Sequence, residues 1–401
     1  MHALTILQHC LGPLLTGLLH ARRLATLLEA VAATVSGPRL TLTDIGRRFG
    51  GEASLRNKIK RSDRLLGNRH LQAQARSIYA ALARKLLSAV LEPLIVIDWS
   101  DLKADQSLHL LRASLPVGGR SLTLYEEVHP QGKLANRQVQ HRFLQRLAQL
   151  LPPSAEPIIV ADSGFKVPFF REVERLGWRL VGRVRRHDCP FVSRTAGPVV
   201  KRSFAVPPPQ RRRWGGVIWV RSNPLRSLFV LVRLPKQGLQ DKTAAGKRAR
   251  SKKSKQAVRS AHEPWLLVAS GRFAHWPAKR LVRVYRQRMQ IELSFRDMKS
   301  EHFGEGLERS AASGVGRFTV LVLIASLAAI LLWLIGTSAE RAGLHERLRP
   351  GSRKRRAYSR LFLARLLLTL EHCKTAIADL LQAVGPLDQW VASDHDSLLA
   401  E

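Results

Sequence analysis

The chain has 401 residues, 66 of them Lys or Arg against 30 Asp or Glu, for a formal charge of +36 and a pI near 11.5. Self-repulsion of that size opposes the compact state unless a polyanion or counterions offset it, yet 45% hydrophobic residues supply a real core and exclude a basic tail. Phosphate contacts to a nucleic acid fit this balance most simply, an anionic membrane surface is the competing partner, and the length suggests about two to three domains.

Residues 1–90 read as helical. The start MHALTILQHCLGPLL lacks the charged n-region and small-residue cleavage site of a signal peptide, and Cys10, Cys189 and Cys373 fall in no metal spacing. Both features suit a reducing cytoplasm. Within this region LTLTDIGRRFGGEASLRNKIKRSDRLLGNRHL has the outline of a helix-turn-helix. Thr43 is the expected cap, Gly50-Gly51 the break, and Arg56, Lys58, Lys60, Arg61 and Arg64 the basic face of a second helix. A plain pair of short basic helices gives the same pattern.

Next, PLIVID (93–98) is a short apolar run ending in Asp98, as in a buried strand. SLHLLRASL and SLTLYEEV, separated by Val117-Gly118-Gly119-Arg120, read as a hairpin, and 138–151 has helical periodicity. PIIVAD (157–162) repeats the first pattern and ends in Asp162; a helix over 168–176 and the strand WRLVGRV follow. The whole is a mixed α/β sheet with aspartates at two strand ends. One such Asp is ordinarily a turn-former. Two of them with a Glu on a basic helix are the oxygen-ligand set that a two-metal phosphoryl-transfer site needs, suited to Mg2+ or Mn2+.

That Glu lies in YRQRMQIELSFRDMK (285–299). On one α-helix Tyr285, Arg288, Glu292 and Lys299 fall at 0°, about 300°, about 340° and about 320°, a single stripe. The stripe fits a polyanion-binding surface with one carboxylate in it, or an i,i+4 ion pair of Arg288 with Glu292 on a solvated helix. Between Asp162 and Glu292, RRRWGGVIWVRS and EPWLLVAS read as strands around a polar, basic segment at 235–260. TVLVLIASLAAILLWLI (319–335) has 17 uncharged residues, at the lower limit for a membrane span and more consistent with a helix buried on all sides. The amphipathic LFLARLLLTLEH could pack on the core or on a second copy.

The spacing Tyr-x2-Arg-x3-Glu-x6-Lys resembles the signature of bacterial cut-and-paste DDE transposases of the insertion-sequence-four family. IKRSDRLLGNRHL, IVIDWSDLK, RASLPVGGRSLTLYEE, ADSGFKVPFFREVERLGW, EPWLLVAS and RMQIELSFRDMKS are similar to blocks of that family, over about 40–340. The resemblance implies a ribonuclease-H-like core (91–185 and 271–340) interrupted by a β-strand insertion domain (186–270). A helical DNA-binding region (1–90) and a helical carboxy-terminal region (341–401) with a dimer contact flank it. It further implies Asp98, Asp162 and Glu292 as catalytic and metal-binding residues holding two Mg2+ ions, with Mn2+ as substitute. Asp101 rivals Asp98 for the first place. By the same resemblance Tyr285, Arg288 and Lys299 grip transposon-end phosphates. Trp265, 20 residues before Tyr285, stacks on a flipped base, unless it is an ordinary core Trp in an alternating strand.

The implied activity is excision by nicking and hairpin formation, then joining of 3′ ends to target DNA, by a homodimer at paired terminal inverted repeats. No membrane is involved, and the expected location is the bacterial cytoplasm, with the nucleoid. A transposase-derived regulator needs the helix-turn-helix and no carboxylates; a ribonuclease-H-like nuclease keeps the carboxylates without strand transfer.

Overall fold

The computed structural model describes residues 2–185, 211–219, 224–233, 251, 263–302, 304–348, 351, 358–370 and 386–399. Of the basic segment 235–260, only Ser251 is among them. The amino-terminal region is helical: α1 (His2–Cys10), α2 (Gly12–Leu15), α3 (Ala21–Val35), α4 (Leu42–Arg47), α5 (Leu55–Leu66) and α6 (Arg69–Leu86). Strands β1 (Leu94–Asp101), β2 (Leu108–Pro116) and β3 (Ser121–Pro130) follow, then α7 (Arg137–Leu150). Next come β4 (Ile158–Ala161), α8 (Val167–Arg175), β5 (Arg179–Val184), β6 (Arg211–Trp219), β7 (Leu225–Val232) and β8 (Trp265–Ala269). The chain continues in helices α9 (Ala278–Arg286), α10 (Met289–Lys299), α11 (Val315–Arg341), α12 (Leu344–Arg347), α13 (Arg360–Thr369) and α14 (Leu387–Leu399). The mixed α/β class read from the sequence is the class observed.

Two compact units divide the chain, one of residues 1–157 with 288–400 and one of residues 158–287. In the first, β1, β2 and β3 form an antiparallel meander, Asp98 facing Arg112 and Arg112 facing Glu126 in register. The β2–β3 turn depends on glycine: Gly118 and Gly119 have φ of 63° and 107°, values that an L side chain rarely adopts. A buried ion pair, Arg112 Nε to Glu126 Oε2 at 2.6 Å, lies on this sheet, and Ser326 Oγ of α11 donates to Glu126 Oε1 at 2.7 Å. Tyr79 of α6 donates to the same carboxylate. Such a pair is stable only with its remaining lone pairs satisfied, as they are here.

Helix α11 runs past β3, α3, α6 and α13. It is long and apolar enough to span a membrane, but 89% of its most apolar window is buried within the protein. Its all-round apolarity is that of a core helix.

The helix pair α4–α5 has its cap at Thr41, whose Oγ1 accepts from Asp44 N at 3.2 Å, not at Thr43. Thr43 is already inside the first turn, where a side-chain oxygen has no orphan donor to meet. Gly51, at φ +83°, makes the break. The helices touch at Gly46, where an added Cβ would lie 2.7 Å from Ile59 Cα.

In the second unit β4 pairs parallel with β5 across α8, and β5, β8, β7 and β6 pair antiparallel in that order. The strands read in RRRWGGVIWVRS and EPWLLVAS therefore extend the sheet of β4 and β5. Close approach of α8 is permitted by Gly182, where a Cβ would meet Phe170 Cζ at 2.9 Å.

The α4–α5 contact predicts that Gly46→Ala destabilises the chain by about 1–3 kcal/mol, because backbone, not a movable side chain, receives the methyl. The gain in helix propensity, roughly 1 kcal/mol, offsets only part. Calorimetry checks this; an unchanged Tm would show that the two helices separate without cost.

Candidate active site

The expected single helix over 285–299 is two helices. Chain bonding changes at Gln287 and Arg288, where Gln287 N donates to Val284 O (3.1 Å) and Ile291 N to Arg288 O (3.2 Å), three-residue bonds in place of four-residue ones. Arg288 becomes the first residue outside α10. Tyr285 lies at 2% exposure on α9. Its ring packs edge-on against Trp265, centroids 5.2 Å apart. Periodicity alone could not reveal the break, since both residues keep right-handed helical dihedrals.

In the first unit the remaining members do gather. Strand β1 leaves its apolar run at Asp98, a partly buried residue whose Oδ1 accepts from the Trp99 backbone N–H at 2.8 Å. Arg288 Nη1 stands 3.4 Å from Asp98 Oδ2 and 2.5 Å from Glu292 Oε1. One cationic nitrogen thus holds two carboxylates that the sequence separates by 194 positions. The i,i+4 ion pair weighed for Arg288 and Glu292 is present, but Asp98 shares it. Lys299, about two turns beyond Glu292 on the same helix face, donates to Ser100 Oγ at 3.0 Å. Ser100 follows Asp98 by two residues and so lies on the same face of β1.

Asp101 falls on the other face. Its carboxylate is half-exposed and its Oδ1 lies 2.9 Å from His109 Nδ1. The geometry therefore brings Asp98, and not its rival, to Glu292.

In the second unit Asp162 directly follows β4, whose Ile158, Ile159, Val160 and Ala161 are all fully buried. Asp162 itself is partly exposed, and its Oδ1 accepts from Gly164 N at 2.7 Å, closing a tight turn. Trp265 opens β8 and keeps part of its surface, with the Arg183 guanidinium 6.0 Å from its ring centre. Among the described residues no group of three or more His, Cys, Asp or Glu is gathered as a metal cage.

On α5, Arg56, Lys60 and Arg64 are exposed along one i,i+4 line and Lys58 is partly so. Arg61 is committed inward: it pairs with Glu29 and covers the Phe49 ring at 4.7 Å. Local sequence carries no sign of that, because Glu29 lies on α3 and Phe49 just beyond α4.

Buried strands that end in aspartates, one of them joined through an arginine to a helix-borne glutamate, are features shared with metal-dependent phosphoryl-transfer enzymes. Residues 91–331 match the family described as the transposase DDE domain, and the chain belongs to that family. Comparison with curated proteins gives no match. With the family come a ribonuclease-H-like fold for the matched region, DNA as the macromolecule bound, and metal-dependent phosphoryl transfer on DNA as the activity.

The donor set fits a divalent metal. Asp98 and Glu292 offer hard carboxylate oxygens, and the position between them already attracts a cation, the Arg288 guanidinium.

Burial holds the Lys299 ammonium below the usual lysine range, with Asp101 and Glu308 opposing that shift. A lysine depressed on folding costs stability at every pH below its folded value, and the cost fades as pH rises through that value. At pH 7 Lys299→Met is accordingly expected to keep or raise Tm, while weakening DNA binding and lowering the salt slope by about one unit. A lower Tm with an unchanged slope would mark Lys299 as purely structural.

Proposed function

We propose that this transposase excises and inserts a DNA element flanked by terminal inverted repeats, as do enzymes of the insertion-sequence-four family, and that it is akin to the transposase of the composite tetracycline-resistance transposon, which its sequence blocks resemble. The observation that carries this reading is the Asp98–Arg288–Glu292 junction inside a transposase DDE domain.

Asp98, Asp162 and Glu292 are proposed to hold two Mg2+ ions, for which Mn2+ substitutes. When bound, such ions supply Lewis-acid charge at the attacking and leaving oxygens of the scissile phosphate. The chain itself contributes position and charge. Arg288 and Lys299 face the phosphates on either side of the bond that breaks. Tyr285, buried against Trp265, supports that indole and does not itself offer an open surface to DNA. Arg56, Lys58 and Lys60 of α5 reach DNA away from the cut, and Arg61 braces that helix against α3 through Glu29.

In the first step water adds to the phosphorus and a 3′-hydroxyl leaves on the element. That hydroxyl next attacks a phosphorus of the opposite strand, expelling the 3′-hydroxyl of the flanking DNA and closing a hairpin. A second water reopens the hairpin, and the freed 3′-hydroxyl joins target DNA. Two copies, each at one end, act together in the bacterial cytoplasm at the nucleoid. Trp265 takes the base that the hairpin bend expels: unstacking costs a few kcal/mol, which one aromatic stack of about 1–3 kcal/mol largely offsets.

Asp98→Ala, Asp162→Ala and Glu292→Ala are each expected to abolish cleavage of an end duplex, while gel-shift affinity stays within a few-fold because phosphate contacts carry it. Appreciable cutting by any one of them removes that residue from the metal-binding set. Nicking without joining by the parent protein would favour a plain nuclease, and no cleavage at all a regulator.

Trp265→Ala should nick at nearly the parental rate and accumulate nicked ends, with hairpin closure slowed roughly five- to 150-fold. An abasic site at the expelled position should restore closure in part. Equal loss of both steps, or of neither, would contradict the stacking role.

A further inference from the structure

Helix α10 has a second polar face, and nothing in the chemistry above uses it. Gln290, Ser294 and Asp297 lie about 140–200° around the helix from Glu292, opposite the edge that carries Arg288, Glu292 and Lys299. Polar side chains there would ordinarily meet water. Instead Gln290 and Asp297 are only 7% and 8% exposed, and all three bond to the β2–β3 turn or the strand residue after it, beside the helix's own Ser294–Gln290 and Arg296–Asp297 contacts.

The bonds follow the helix period. Gln290 Oε1 accepts from the backbone N–H of Val117 at 3.1 Å and of Gly119 at 3.0 Å. One turn on, Ser294 Oγ accepts from Ser121 N at 2.9 Å. At the next turn Arg120 donates to Asp297, Nε to Oδ2 at 2.5 Å and Nη2 to Oδ1 at 3.5 Å. The turn is closed by Val117 N to Arg120 O at 2.7 Å, and its backbone needs the two glycines for its positive φ. Its far side is fixed as well. A Cβ on Gly118 would come within 3.3 Å of Asp394 Oδ2 and 3.4 Å of Arg360 Nη1. Arg360 in turn pairs with Glu340 and Asp394.

We propose that the β2–β3 turn is a positioning device for Glu292: amides of Val117, Gly119 and Ser121 and the Arg120 guanidinium fix the rotation and axial register of α10, so that Glu292 is presented to Asp98. This rests on the reading of Glu292 as a metal-binding residue. Three successive helical turns are held, so α10 can neither roll nor slide without breaking buried bonds. Catalytic constellations tolerate only about 0.5 Å and 10–20° of error, and a misplacement of about 1 Å costs on the order of a hundredfold in rate. A clamp on the back of the helix meets that requirement without placing another group among the reacting atoms.

The test compares Gln290→Met, which keeps the shape and removes the acceptor, with Gln290→Glu, which retains an acceptor oxygen for the two amides. Cleavage of an end duplex is followed against Mg2+ concentration, alongside duplex affinity and hydrogen exchange of the amides of 289–299. Gln290→Met is expected to cleave about ten- to a hundredfold more slowly, to need several-fold more Mg2+ for half-maximal rate, and to exchange faster in α10. Its duplex affinity should stay within twofold, and Gln290→Glu should recover most of the rate. A folded Gln290→Met protein with the parental rate and Mg2+ dependence overturns the proposal. Should Gln290→Met fail to fold, Arg120→Asp with Asp297→Arg carries the test: the pair must recover at least tenfold over either single change, and no recovery overturns the clamp. Glu292→Gln run in parallel separates the two claims. If it cleaves normally, the metal-binding reading of Glu292 fails; if it is inactive while Gln290→Met is normal, only the clamp fails.

Discussion

Two carboxylates held within reach of one nitrogen repel each other by roughly 2–3 kcal/mol at an effective dielectric near 20 before salt screening. Arg288 removes that repulsion between Asp98 and Glu292. The fold can therefore assemble a site of high negative charge density in a chain that has not yet met metal or DNA. The same guanidinium has a second use. A planar fork suited to carboxylates is equally suited to phosphate, so under the proposed function Arg288 would exchange the internal pair for phosphate as metal and DNA arrive.

That exchange requires a frame that does not move with it. β1 is held in the meander by β2, and the buried Arg112–Glu126 pair ties β2 and β3 to α6 and α11 through Tyr79 and Ser326. The β2–β3 turn holds the back of α10. Residues distant in sequence converge on these contacts: Arg360 and Asp394, near the end of the chain, meet at Gly118. Helix α11 is buried on nearly every side, and its Ser326 donates to the glutamate of the ion pair.

What could be read from residues alone follows from how far each constraint reaches. The runs ending in Asp98 and Asp162 announced buried strands, since apolar continuity is a local property. The Gly-Gly turn announced the hairpin for the same reason. Helix α11 was legible as a core helix because its length and lack of charge left few other states. The break at Gln287–Arg288 was not legible: no Gly or Pro marks it, and the dihedrals stay helical. Tyr285 was accordingly read on one helix with Glu292, whereas it belongs to α9. Arg61 read as one more basic residue on α5, whereas Glu29 and Phe49 engage it. Gln290, Ser294 and Asp297 were also passed over. Polar residues on a helix read as a solvated face unless the partner turn, more than 160 positions away, is known.

The central claim is that the place between Asp98 and Glu292 is a cation site which Arg288 fills until metal and DNA arrive. Anomalous scattering from crystals of the protein bound to an end duplex with Mn2+ measures this directly. The account predicts a manganese peak in contact with Asp98 and Glu292 and the Arg288 guanidinium turned onto a phosphate. Arg288 still bridging the two carboxylates, with manganese bound elsewhere or not at all, would contradict it.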